Sequence, residues 1–406
     1  MNANKGNEHP GGMLAIIGTN KRRRKLGEVV AERIIEEIIE RGWNEGEVLG
    51  TEADFMERFR VSRATFREAV RQLEWHGAAG MRRGVYGGLV VKAPPRHAIV
   101  YAIKTYFELT KIERSLLDRT ASILRTAPRL QPDEGDNEAI SLFLEALDHR
   151  SISDLAKERM VAGTAPKLSE TVALKLVQDI ESTGIQPGTS LGNEIELQQR
   201  YGVSRAVLRE ALRPLELHEI VRVKTGAKGG VIIRQCDAAY TIELTATYLT
   251  FSRISMAHLW EAQSCLEIVA IEECLRRTDK SYLPTLHKAL ERLEQASAGH
   301  YLLAASEFHR IIADLSGNRA LALFIGVTLR YGLTVLPRPE EAFLPELKRQ
   351  HRAILAAMES GDREAALAPM QAMFEHSRRW IARLERDRKR RKAQYQDDPS
   401  HTPSTA

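Results

Sequence analysis

Val61-Ser62-Arg63-Ala64-Thr65-Phe66-Arg67-Glu68-Ala69 returns as Val203-Ser204-Arg205-Ala206-Val207-Leu208-Arg209-Glu210-Ala211, a shift of 142 residues. The same shift carries Leu73-Glu74 onto Leu215-Glu216 and Gly87-Gly88 onto Gly229-Gly230. From Leu26 to Val91 it holds without a gap and roughly two positions in five are identical, so the segment reads as a duplicated domain. Beyond it, Thr105-Tyr106, Ile112, Leu117 and Leu124 still pair with Thr247-Tyr248, Ile254, Leu259 and Leu266. Then Asn137, Ala139, Leu142 and Phe143 match Asn318, Ala320, Leu323 and Phe324 only at a shift of 181. The first copy therefore reads as shortened by about 39 residues at that point, with its helical part ending near residue 163.

Each copy has the same local pattern. Leu26, Val30, Ile34 and Ile38 recur at helical spacing, as do Leu168, Val172, Leu176 and Ile180, and Gly42 or Gly184 closes that helix. A turn at Gly46 or Pro187-Gly188 precedes a short helix, about Glu52–Phe59 or Glu194–Tyr201. A tight turn and a longer helix after Ser62 or Ser204 follow, and then two short β runs. Gly84–Gly88 separates the runs in the first copy and Gly226–Gly230 in the second. Three helices and a Gly-tipped hairpin make the winged helix-turn-helix plan.

The expected fold is mainly α with small β wings: two winged helix-turn-helix domains and an all-α helical bundle. The boundaries read as a disordered 1–20, a first winged unit over 21–95, and a truncated helical segment over 96–163. A second winged unit covers 164–236, an all-α helical domain 237–386, and a basic disordered tail 387–406.

Composition agrees with an intracellular globular protein. Of the 406 residues, 43% are hydrophobic and 28% charged, ordinary for a globular chain, and the net charge of +5 permits nucleic-acid binding without requiring it. Cys236, Cys265 and Cys274 form no CxxC pair and are expected as reduced thiols. The longest apolar run near the start, Met13–Ile17, is too short for a signal segment, and no stretch reaches the roughly 18 apolar residues of a membrane span. A cytoplasmic protein with no membrane contact is expected.

A helix-turn-helix puts the first residues of its second helix into the major groove. Ser62 and Ser204 stand where an N-cap belongs. Arg63 and Arg67, like Arg205 and Arg209, are four apart and share a helix face, suited to guanine edges or phosphates of double-stranded operator DNA. Thr65 joins this set, with Arg58, Arg60, Arg71, Arg200 and Arg213 extending the positive surface. The wings add Arg82, Arg83, Tyr86 and Gly87 in one copy and Lys224, Lys228 and Gly229 in the other, their glycines letting backbone approach the DNA. Glu68 and Glu210 read as structural ion-pair partners, and Pro214 is expected to tilt the second recognition helix.

At these residues the chain resembles the GntR family of bacterial regulators, in the FadR-type branch with a helical FCD effector domain. Val-Ser-Arg-x-x-x-Arg-Glu-Ala in both copies carries the resemblance. Leu266-Glu267, Phe308-His309, Ser316-Gly317-Asn318, His351-Arg352-Ala353-Ile354, Gly361-Asp362 and His376 continue it. It implies a homodimer that responds to a small-molecule effector, and tandem units would then present four DNA readers per dimer. Family members often start helix 2 with a DNA-contacting Arg, where this chain has Ala53 or Ile195. The resemblance also implies a divalent metal of the zinc or nickel class on His309, His351 and His376, lining the effector pocket. Ala305 stands where the family has an acidic ligand, which would leave a corner open for an anionic effector such as a carboxylate.

Two other readings stay open at this point. A His-ligated metal hydrolase would need a general base beside the histidines, and no nucleophile elbow or phosphate-binding Gly loop is present. A DNA-binding scaffold with a decayed sensor is the other.

Overall fold

The computed structural model describes residues 26–396 apart from 76, 85, 128–134, 151–167, 184, 185, 218, 219, 225–228, 235–237 and 277–279. The expected disordered start, 1–20, lies outside the described residues. The first repeat segment comprises α1 (Leu26–Glu40), β1 (Val48–Gly50), α2 (Glu52–Phe59), α3 (Arg63–Trp75), β2 (Ala79–Arg82) and β3 (Gly88–Val91). After the helices α4 (Arg96–Leu109), α5 (Arg114–Arg125) and α6 (Glu138–Leu147), the order recurs. It runs α7 (Leu168–Thr183), β4 (Ser190–Gly192), α8 (Glu194–Tyr201), α9 (Arg205–Leu217), β5 (Val221–Lys224) and β6 (Gly230–Ile233).

Each segment closes with a three-stranded antiparallel sheet, ordered β1-β3-β2 or β4-β6-β5. The hairpin register runs from Ala79↔Val91 to Arg82↔Gly88 in one and from Val221↔Ile233 to Lys224↔Gly230 in the other, every pair displaced by 142. The sequence reading had two strands here and a plain turn after the first helix. The third strand is only three residues long, too short to show alternation, and it exists because β3 or β6 offers an edge to pair with. The cores correspond as closely. Ile34, Phe55, Phe66, Leu73 and Leu89 are buried in one, and Leu176, Leu197, Leu208, Leu215 and Val231, each 142 residues on, in the other.

Local chemistry sets the helix ends. Thr51 caps α2 in a capping box with Asp54, and Asn193 caps α8 in one with Glu196. Gly202 ends α8 in the left-handed conformation (φ 65°), which Arg60 adopts after α2 at φ 52°. The helix α9 runs through position 214 as one element.

The remaining helices are α10 (Ala238–Phe251), α11 (Met256–Arg276), α12 (Leu283–Gln295), α13 (Ala298–Leu315), α14 (Arg319–Val335), α15 (Leu344–Ser360) and α16 (Arg363–Gln396). The last runs on into the segment expected as a disordered tail, where Arg, Lys, Ala and Gln are good helix formers.

The chain divides into two compact units. One holds the residues up to Leu266 with Gly317–Pro337, the other Glu267–Ser316 with Arg338 onward. In the first, α4 packs on α6 and α10, α10 on α14, and α5 on α6 and α14. In the second, α12 packs on α13 and α15, and α15 on α16. There Lys348 Nζ donates to the carbonyls of Glu294 and Ala296, at 2.7 and 2.9 Å, and so closes the end of α12. Among the described residues no helix is long and apolar enough to cross a membrane.

Candidate functional site

The arginine pairs sit at the starts of α3 and α9. Ser62 Oγ accepts from the Thr65 N–H at 3.2 Å and lies 3.0 Å from Thr65 Oγ1, which locks the first turn of α3. Ser204 Oγ accepts from the Val207 N–H at 3.4 Å. Arg63 and Arg67 both approach Glu52, at 3.6 and 3.2 Å, while Arg205 and Arg209 grip Glu194 at 2.9 and 3.0 Å. All four arginine side chains remain more than half exposed, from 56% to 66%. Each carboxylate therefore orders two guanidiniums without burying them. Burial pushes the Glu194 carboxyl up, but Arg209 and Arg205 outweigh it and hold the group below the usual carboxylate range.

Glu52 and Glu194 stand one position before Ala53 and Ile195 and are not among the residues that the sequence pattern singles out. The available signal was that both copies hold Glu at this first position of the short helix. Glu68 pairs with Arg71, as expected of a structural partner. Arg58, part of the expected positive surface, pairs with Glu37 at 2.8 Å and lies over the Phe55 and Phe59 rings, where it ties α2 to α1. Arg213 pairs with Glu74 of the first segment at 3.0 Å.

In the first hairpin Arg83 and Tyr86 are exposed, and Arg82 donates to the Tyr86 carbonyl at 2.9 Å. The turn itself demands its glycines. A Cβ on Gly87 would lie 2.4 Å from the Arg82 carbonyl oxygen, and one on Gly88 (φ 153°) 2.5 Å from that of Gly50. Close approach within the chain thus accounts for these glycines before any ligand is considered. Gly229 is half-buried, and Lys228 lies outside the described residues.

The structure brings together two of the three histidines. His309 on α13 and His351 on α15 face each other with their Nε2 atoms 3.2 Å apart, both rings buried. The Nδ1 of His351 donates to the Leu347 carbonyl at 2.8 Å, and Tyr301 Oη lies 3.3 Å from the same atom. The Nδ1 of His309 lies 3.0 Å from the Glu267 carboxylate, an electrostatic contact without linear hydrogen-bond geometry. Burial, and the neighbouring His309, push the His351 ring down to about 3, so it is neutral near pH 7. With its Nδ1 proton given to Leu347, His351 turns an Nε2 lone pair toward His309 Nε2, which can either donate to it or share a cation with it.

His376 on α16 is not part of this pair; its ring stands edge-on to Phe343 at 5.7 Å, and its Nε2 is buried without a hydrogen-bond partner. Among the described residues no group of three ligating side chains is assembled. The donor set thus fits a divalent cation at two corners, with Glu267 orienting His309 from behind, and falls short at the third. Ala305 is buried one turn before His309.

Two family models match the chain. The one described as bacterial regulatory proteins, gntR family, matches residues 26–86 and again 168–231, and the FCD domain matches 258–376. Among curated proteins, the HTH-type transcriptional regulator YcbG of Bacillus subtilis is 30% identical over 37% of this chain and 62% of its own length. The HTH-type transcriptional repressor NanR of Enterobacter is 26% identical over 51% of this chain and 82% of its own. Among solved structures, a GntR of Streptococcus agalactiae is 26% identical over 52% of this chain and 99% of its own, with a TM-score of 0.42.

Proposed function

The chain belongs to the gntR family of bacterial regulatory proteins and carries an FCD domain, and from that premise we propose that it reads operator DNA through two winged helix-turn-helix units. It is a DNA-binding transcription regulator and not an enzyme. One observation carries the two-reader assignment. In both copies a Ser-capped helix begins with two exposed arginines that share one carboxylate of the preceding helix. Guanidiniums ordered in this way at a helix start suit bidentate contact with guanine or phosphate. Ser62, Arg63, Thr65 and Arg67, with Ser204, Arg205 and Arg209, form the two reading ends, flanked by Arg83 and Gly87 and by Lys228 and Gly229.

Arg63→Ala and Arg205→Ala should each weaken binding to a duplex selected by the parent, by about 1–3 kcal/mol for a base-reading arginine. Fluorescence anisotropy over a salt series measures this. Unchanged affinity and salt slope in both variants would remove the assignment.

GntR regulators bind effector small molecules, and for this chain the sensor reading centres on His309 and His351. Their facing Nε2 atoms form the nucleus of an effector pocket and of a site for a zinc- or nickel-class metal. His376 must turn toward them to complete a three-histidine set. The open corner beside Ala305 then suits a carboxylate effector, and repression relieved by that effector is the mode of action. As in other GntR regulators, the setting is the cytoplasm.

A further inference from the structure

We propose that the chain is its own dimerisation partner: α4, α5 and α6 occupy on α10 and α14 the face that a second copy would otherwise take. In the repeat, α4 corresponds to α10, α5 to the first half of α11, and α6 to α14. An interface between two copies related by a two-fold axis is recognised by reciprocity: if residue i of one touches j of the other, then j of the first touches i of the second. Within one chain the helices meet that test element by element. The Asn137 amide, at the N-cap of α6, donates to the His258 carbonyl and to Glu261 on α11, both at 2.8 Å. Its counterpart Asn318, at the N-cap of α14, donates to Thr120 on α5 at 3.1 Å. On the axis itself a residue meets its own equivalent. Phe143 and Phe324 are such a pair, and their rings stack with centroids 4.1 Å apart and planes within 19°. The equivalent helices α4 and α10 likewise pack on each other.

The DNA-reading segments follow the same exchange. Phe251 closes α10, in the second copy, yet it packs on the core of the first segment and stands edge-on to Trp43 at 6.3 Å. The neighbouring Arg253 donates to the Gly42 carbonyl. Leu109, 142 residues before Phe251, closes α4 in the first copy and packs on the core of the second segment. Each reading segment thus rests on the other copy's helix, the relation expected between exchanged halves of a dimer.

What the first copy kept agrees with this. The described residues hold its versions of α10, the start of α11 and α14, the helices that make the pairing face. Most of α10 is buried, because α14 and α4 both pack on it. Left bare, that face would be an apolar patch of the size that drives association. Dimerisation is typical of the family, and here the pairing is met inside one chain. Given the two-reader assignment above, one chain then presents both readers to a single operator.

The test needs no DNA, so it stands or falls apart from that assignment. Arg319 at the start of α14 donates to the Thr110 carbonyl at the end of α4 at 3.2 Å, a contact between the copies at partly exposed positions. In a Cys236→Ser, Cys265→Ala, Cys274→Ala background, Thr110→Cys with Arg319→Cys should be joined by a bismaleimide matching the reach of an arginine side chain. The expected product is an internally linked single chain, heavier by one bismaleimide, with the two peptides joined in the digest. A mixture of the two single-cysteine variants should give no product of doubled mass. A doubled-mass product from that mixture, or no link in the double variant, would overturn the proposal.

Discussion

Arg205 and Arg209 straddle one carboxylate, so DNA approaching them competes with Glu194 for two guanidiniums at once. Such a carboxylate lowers affinity for any phosphate and spares contacts that return as much as they cost, which sharpens discrimination. Glu194→Gln and Glu52→Gln are therefore expected to strengthen non-specific DNA binding several-fold and to narrow the ratio between selected and random duplexes. Competition binding at fixed salt reads that ratio, and an unchanged value would mean that the carboxylates only order the arginines. At the buried histidine pair, two Nε2 atoms 3.2 Å apart should accept a divalent cation. Zinc at about a hundred times its dissociation constant would stabilise the fold by about 2.7 kcal/mol. The melting temperature should rise in the parent and stay put in His351→Ala; a rise in both would place the metal elsewhere.

Between elements, each copy joins its pairing helices with a buried ion pair, and the two are built differently. On the first copy Lys104 of α4 bonds Asp148 at 2.6 Å, just beyond the end of α6. On the second, Arg330 of α14 makes two bonds to Glu243 of α10, at 2.7 and 2.8 Å, with a third to Thr334 at 2.7 Å. Removing one member strands the other in a poorly hydrated place. Arg330→Met should cost about 3–5 kcal/mol by urea unfolding, and adding Glu243→Leu should return much of the loss. Equal costs for the single and double variants would show that the stranded charge is not the cause. The caps are smaller terms. Thr51→Ala and Asn193→Ala should each cost about 1 kcal/mol, since each loses the side-chain acceptor of its capping box.

At the scale of the molecule, the Phe143–Phe324 stack joins two copies whose sequences lie far apart. Both rings are fully buried, so Phe143→Ala should cost about 3–5 kcal/mol in the unfolding of the first compact unit. It should also weaken binding to a duplex with two half-sites far more than to one with a single half-site, because a loosened pair no longer holds both readers in register. Equal losses on the two duplexes would count against a coupled pair.

The recurrence at a shift of 142, the helix over Glu52–Phe59 and its repeat, the caps at Ser62 and Ser204, and the paired arginines were legible in the sequence alone. They rest on spacing along the chain, and helical periodicity and capping are local physics. Four things were decided only by the tertiary structure: the third strand of each sheet, the carboxylates of Glu52 and Glu194 under the arginines, the separation of His376 from the other two histidines, and the partner of the shortened helices. Each depends on which faces of distant elements meet, and that is set by burying apolar surface across long stretches of chain, which no local pattern records. The recurrence in the sequence names no contact; only the packing showed that α4, α5 and α6 lie against α10 and α14 of the same chain.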